Sequence, residues 1–244
     1  MKLIQSTWQE IDSYLASSDG IIIPTGSTEQ HGPVGLLGTD MLCADAISVE
    51  AGKQANALVA PVLGYAPAEF NMGFPGTISI SPETYRSLCS EIFLSLERHG
   101  FRHLYVLNGH GANLVPLAKA AGELLHAQVR IKNWWDFEAV NLLRKEFYGE
   151  WEGMHATPSE ISITQVDHRI LDCSLAKDPP KRLAKEFIKK HAGDKHGSPD
   201  VHRAQFPDGR VGSHSFLAER EHGIQLKNAA VRDLVKDYKA FICN

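Results

Sequence analysis

Hydrophobic positions in this chain follow two rhythms. The runs "GIIIPTG" from Gly20, "NALVAPVLGY" from Asn56, "FRHLYVLNGHG" from Phe101 and "QVRIKNWW" from Gln128 are short, mostly apolar and largely bounded by Gly, Pro or Asn. They predict buried strands. Between them, "DMLCADAISVEAGKQA", "SPETYRSLCSEIFLSLERHG" and "ANLVPLAKAAGELLHA" carry apolar residues at helical spacing, as does the closing "HGIQLKNAAVRDLVKDYKAFI". The clearest helix starts with Ser81 as cap, Pro82 in the first turn and Glu83 at the positive end of the dipole, and Gly100 stops it. Strands alternating with helices predict an α/β fold with a parallel sheet covered on both faces. Ligands of such sheets bind outside the carboxyl ends of the strands. "GSTEQHG" from Gly26 and "NGHGAN" from Asn108 both fall at that end. The first 18 residues read as a short amphipathic helix, with no signal peptide. After Ser174 the chain turns basic and rich in Pro, Gly and His, and is expected to be part helix and part ordered surface loop.

Composition narrows the class without naming a chemistry. With 244 residues and a 43% apolar share, the chain can fill one large core or two small ones. A net charge of −4 argues against nucleic-acid or anionic-membrane partners. No stretch approaches the roughly 20 apolar residues of a membrane span. Cys43, Cys89, Cys173 and Cys243 are scattered, which fits reduced thiols in a cytoplasmic protein better than a disulfide frame.

Three short segments concentrate the reactive side chains. Glu29 and His31 are two apart. If strand geometry continues past Thr25 they face one point, as a metal or an acid/base pair would need. Taken alone, a polar loop after a strand explains them better, since strand ends are often polar; Asp40 changes that balance. Asp40 opens the next helix, either as a first-turn acid or as a carboxylate returned to the mouth of the same strand. His110 sits between glycines in a strand-to-helix turn that is neither GxGxxG nor a P-loop. A phosphate cradle is therefore disfavoured against a metal site of imidazole and carboxylate, which suits Zn²⁺, Mn²⁺ and Fe²⁺. His155 and Glu160 are five apart, read as a loop running into a helix whose first turn holds Pro158, Ser159 and Glu160. His99, His103, His126, His168, His191, His196, His202, His214 and His222 are expected at the surface. Trp134 and Trp135 fit either a pocket wall or the core.

Taken together, these segments resemble the creatininase (creatinine amidohydrolase) family. "GSTEQHGPVGLLGTD" is similar to its G-S-x-E-Q-H-G-P-H-L-P-L-x-T-D signature, "FPGTISI" to its F-P-G-T stretch, "VLNGHGAN" to its N-G-H-G-G-N turn, "HATPSEIS" to its H-A-G-E-x-E-T-S block, and "REHGIQL" to a late K-G motif. The resemblance implies one three-layer α/β/α domain over residues 1–244 with a central, mostly parallel sheet, in a homo-oligomer such as a hexamer. It also implies a hydrolase that cleaves an amide or cyclic-amide C–N bond of a small molecule, creatinine or a related amide or formamide, with water activated by two divalent ions (Zn and/or Mn, Fe also compatible). Glu29, Asp40 and His110 would hold one ion, and Asp40 and His31 the other. His155 would protonate the leaving nitrogen, and Gly111 and Trp151 would contact substrate.

The departures fall on the expected substrate wall. The family's H-Y-E-N tyrosine and glutamate are Gly111 and Ala112 here, so Glu160 is the candidate replacement ligand. Val34, Asn71, Thr157 and Pro158 also differ, and the acid after Trp151 is Glu152. A non-catalytic, metal-binding or regulatory relative with a decayed site is the competing reading.

Overall fold

The computed structural model describes residues 1–193 and 196–243. Four parallel strands form one sheet in the order β2-β1-β3-β4. β1 (Gly20–Thr25) and β3 (His103–Asn108) are the central pair, flanked by β2 (Leu58–Val59) and β4 (Gln128–Asn133). Alternation along the buried strands feeds two separate cores. On one face, Ile22, Tyr105 and Leu107 pack with side chains of α2 (Thr39–Ala55), α5 (Glu138–Phe147), α6 (Pro158–Asp167) and α9 (Arg220–Ile242). On the other, Ile21, Ile23, Leu104 and Val106 meet α3 (Pro82–Arg98) and α4 (Leu114–Ala121), with α1 (Trp8–Leu15) at the margin. This is the expected three-layer α/β/α arrangement.

The structure refines several sequence readings. The strand expected from Asn56 is regular for only two residues. Ala60 N–H donates to the Ile22 carbonyl, but Pro24 of β1 has no N–H to give to the carbonyl of Ala60. Beyond it the chain still follows β1, with Leu63 N–H donating to the Pro24 carbonyl and Gly26 N–H to that of Leu63. Helix α5 fills a stretch that the sequence reading left unassigned. The basic segment after Ser174 contains α7 (Lys185–His191) and α8 (Pro199–Gln205), as the mixed helix-and-loop reading requires. Residues 194 and 195 of that segment lie outside the described residues. No helix among the described residues is long and apolar enough to cross a membrane.

Polar groups cross the sheet at its carboxyl end. Thr25, Asn108 and Asn133 are neighbours in register. Thr25 Oγ1 donates to Asn108 Oδ1 at 2.9 Å, and Asn108 Nδ2 donates to Asn133 Oδ1 at 2.8 Å and to the His110 carbonyl at 2.6 Å. Such a fully bonded buried rung fixes where the strands end and their loops begin. Two glycines then let α2 sit directly on those exits. A Cβ on Gly26 would lie 2.3 Å from Met41 N, and one on Gly109 would lie 2.4 Å from the Asp40 carbonyl oxygen. Both neighbours are backbone, so only glycine allows this approach.

Candidate metal centre

The first turn of α2 carries Asp40 into the space above the rung, where six reactive side chains converge. Glu29 and His31 come from the segment after β1 and His110 from the turn after β3. His155 precedes α6, and Glu160 lies in its first turn. All six are at least nine-tenths buried. His31 Nε2 is 2.9 Å from Asp40 Oδ1 and 3.8 Å from Glu160 Oε1. His110 Nδ1 is 2.9 Å from Asp40 Oδ2 and 3.3 Å from Glu29 Oε1. His155 Nδ1 is 3.5 Å from Glu29 Oε1. Donor atoms of Glu29, Asp40 and His110 lie within 4.8 Å of one another, as do those of His31, Asp40 and Glu160 and those of Glu29, His31 and His155. Asp40 belongs to two of these groups, one through each oxygen.

The outer hydrogen bonds determine what the inner atoms offer. His31 Nδ1 bonds the Glu29 carbonyl at 3.0 Å, His110 Nε2 that of Pro67 at 2.7 Å, and His155 Nε2 that of Gln30 at 2.7 Å. A carbonyl only accepts, so each of these nitrogens carries the proton. In the neutral ring the inner nitrogen then presents a lone pair, and in all three cases it faces carboxylate oxygens. This is the second-shell pattern of metal-ligating histidines. The carboxylates are oriented too. Ser27 Oγ donates to Asp40 Oδ2 at 2.9 Å, Asn71 Nδ2 to Glu29 Oε2 at 3.0 Å, and Thr157 N–H to Glu160 Oε1 at 2.5 Å. Glu29 Oε1 is left buried with no hydrogen-bond donor. Three buried carboxylates, with no Lys or Arg paired to them among the described residues, call for cations at this point. The donor set therefore fits divalent metal ions.

Without a metal, protons occupy part of that role. Burial works against a charged His31, but the adjacent Asp40 carboxylate outweighs it and lifts the imidazole to about 10. Burial likewise opposes ionisation of Asp40, yet His31 and His110 hold it well below the usual carboxylate range. Glu160 is pushed up to about 8, chiefly by burial, with His31 opposing and Asp40 adding. His155 falls to about 4, through burial and then the charge of His31.

Above the cluster lies a cavity of about 230 Å³. Gly111, Trp134, Trp135, Arg144 and Met154 line it together with Glu29, Asp40, His110, His155 and Glu160. Trp151 instead packs its ring against His214, 5.4 Å between centroids, and under the Arg182 guanidinium at 4.3 Å. Two histidines expected at the surface are buried. His202 is 2% exposed, in an aromatic nest with Phe70, His196 and Phe206, and His214 is 8% exposed beside Trp151. Glu160 also acts as an ordinary first-turn acid, completing a capping box with Thr157. Its two possible uses coexist. Arg144 carries no motif that marks it in the sequence, whereas the positioning group Ser27 is the serine of the "GSTEQHG" segment.

The family profile described as "Creatininase: Creatinine amidohydrolase" matches residues 5–238. The creatinine amidohydrolase of Pseudomonas putida is 30% identical over 176 residues, 64% of this chain and 68% of that protein. A mycofactocin precursor peptide peptidase of Mycolicibacterium smegmatis is 38% identical over 120 residues, with the match spanning 47% of this chain and 48% of that protein. Among solved structures, a manganese form of creatininase superimposes with a TM-score of 0.80 at 22% identity, covering 100% of this chain and 99% of that one. A Zn–Zn creatininase variant gives 0.79 at 22% identity, covering 100% and 98%. The chain belongs to the creatininase family.

Proposed function

We propose that this protein is a two-metal amidohydrolase acting on a small amide. The observation that supports this best is the inward orientation of the imidazole lone pairs on His31, His110 and His155 against three buried carboxylates. In this reading Glu29, Asp40 and His110 hold one divalent ion, and His31, Asp40 and Glu160 hold the other. Bound ions of this kind lower the pKa of a water and polarise a carbonyl oxygen.

The chain's own residues supply the remaining steps. His155 donates its Nε2–H to Gln30, so Nδ1 is the atom that handles the proton. Burial keeps that nitrogen unprotonated near neutral pH, ready to take a proton from water and pass it to the departing amine. Asn71 holds Glu29 in place, and its own Oδ1 accepts from Gln30 Nε2 at 2.8 Å. Gly109 and Gly111 leave backbone at the cavity wall, so substrate approaches closely.

Gly111 and Ala112 stand where creatininases carry a tyrosine and an acid, leaving more room and fewer hydrogen-bonding groups. Unpartnered polar groups on creatinine would reduce its turnover by one or more orders of magnitude. We therefore expect another cyclic amide, formamide or short amide to be the better substrate. The test compares kcat/KM across such a panel with Zn²⁺, Mn²⁺ or Fe²⁺ supplied in turn, for wild type and Asp40→Ala. The variant should stay folded and lose both metal and turnover. An Asp40→Ala protein that keeps its full metal content would defeat the assignment.

A further inference from the structure

The cavity contains a cation that the two-metal reading leaves unused. Arg144, in the last turn of α5, is the one Lys or Arg on the lining among the described residues. Its side chain is 19% exposed. Nε donates to Glu152 Oε1 at 2.9 Å and Nη1 to Asn141 Oδ1 at 3.0 Å, and the guanidinium lies 5.9 Å from the Trp134 ring centroid. Ser159 Oγ also donates to that same Glu152 oxygen, fixing the acid from the α6 side.

This is an incomplete ion pair for a purely structural role. An Arg–carboxylate bridge built for stability engages two parallel N–H groups. Here the contact uses Nε alone, and Glu152 Oε2 remains buried without a donor. No acceptor takes Nη2 among the described residues. Glu152 and Asn141 thus hold the plane of the guanidinium while one donor edge stays uncommitted beside the cavity.

We infer that Arg144 receives a carboxylate of the substrate, so that the preferred amides carry a free acid group. The inference rests on the amidohydrolase reading of the same cavity. Guanidinium matches a carboxylate in shape and charge, and in a partly dried cavity that pairing outcompetes a neutral hydrogen bond. At about 230 Å³ the space equals roughly eight waters of ~30 Å³ each. The acid group and the scissile carbonyl are therefore close together in one small molecule.

A matched pair of probes tests this: N-formylglycine and its neutral carboxamide, N-formylglycinamide. Dissociation constants and kcat/KM are measured on Mn²⁺-loaded wild type, Arg144→Gln and Arg144→Lys, with metal content and melting temperature recorded for each. Wild type should favour the acid by about tenfold to a hundredfold, mainly through Kd and KM. The preference should shrink toward unity in Arg144→Gln and fall between the two in Arg144→Lys, at unchanged metal content. Equal preference in wild type and both variants overturns the inference, as does a wild type that does not favour the acid. If Arg144→Gln does not fold, Arg144→Lys decides by the same ratio. Absence of turnover for every amide counts against the hydrolase reading, while the ratio of dissociation constants still decides the role of Arg144.

Discussion

Replacing Gly109 by alanine tests how closely the metal centre depends on the seat of α2. The added Cβ would lie 2.4 Å from the Asp40 carbonyl oxygen, 3.1 Å from its carbonyl carbon and 3.4 Å from its Cα. All three atoms are backbone, so no side chain can rotate aside. Ordinary van der Waals contact requires the turn after β3 and the first turn of α2 to part by roughly 1 Å, a displacement able to cost about a hundredfold in activity. Asp40 reaches His31 and His110 at 2.9 Å on opposite oxygens, so such a shift breaks at least one side of the bridge. Overpacking of this kind destabilises by about 1–3 kcal/mol, equivalent to a fall of roughly 2–12 °C in Tm for a chain of this size. The expected outcome is a folded protein by circular dichroism that retains at most one metal ion per chain by elemental analysis. Gly122→Ala is the control. Its φ is −70° and the new Cβ would sit 3.4 Å from the nearest atom, so Tm and metal content should stay at wild-type values. A Gly109→Ala protein indistinguishable from that control would refute the reasoning.

Further outcomes follow from the same geometry. Glu160→Gln keeps a capping oxygen for Thr157 but removes a charge from the His31–Asp40 group, and should lower metal content by one ion per chain with a stability loss of at most about 1 kcal/mol; unchanged stoichiometry would remove Glu160 from the ligand set. At pH 7 the metal-free site holds protons on His31 and on most Glu160, since these are lifted to about 10 and about 8. Metal binding should therefore release protons from these two groups and tighten as pH rises, measured by calorimetry in buffers of different protonation heat; buffer-independent heats would contradict it. In the metal-free protein both raised groups stabilise the fold below their unfolded pKa values, roughly 6.5 for His31 and 4.5 for Glu160. That stability is lost as pH rises through about 8 and then about 10, so Tm in chelator should decline over this range, and a flat profile would count against it.

Much of this arrangement is legible in the sequence because local and global signals agree. The triple Ile of β1, buried on both sides, and the capped α3 read directly, and the two-residue spacing of Glu29 and His31 marks them as a pair. Other features depend on contacts that no local pattern encodes. The β2 run looks as strand-like as its neighbours, yet Pro24 on β1 has no N–H to continue the ladder, and regular pairing stops after two residues. His202 resembles the other histidines of a polar segment, and its burial draws on Phe70 from more than a hundred residues away as well as on the nearby His196 and Phe206. Arg144 belongs to an ordinary amphipathic helix, and its place at the cavity follows from where Glu152 and Trp134 lie.

Each of the three imidazoles is aimed by a main-chain carbonyl, of Glu29, Gln30 or Pro67, with Asn71 Nδ2 also 3.3 Å from His155 Nε2. Every amino acid supplies that carbonyl, so substitution at a supporting position cannot delete the acceptor; only a change in the path of the chain can. Side-chain supports, by contrast, are exposed to every mutation. Descent can therefore rewrite most of the surrounding sequence, including the walls that choose the substrate, while the imidazole geometry passes through intact. The fold in effect carries the chemistry as a heritable shape, separate from the lettering that selects what it acts on.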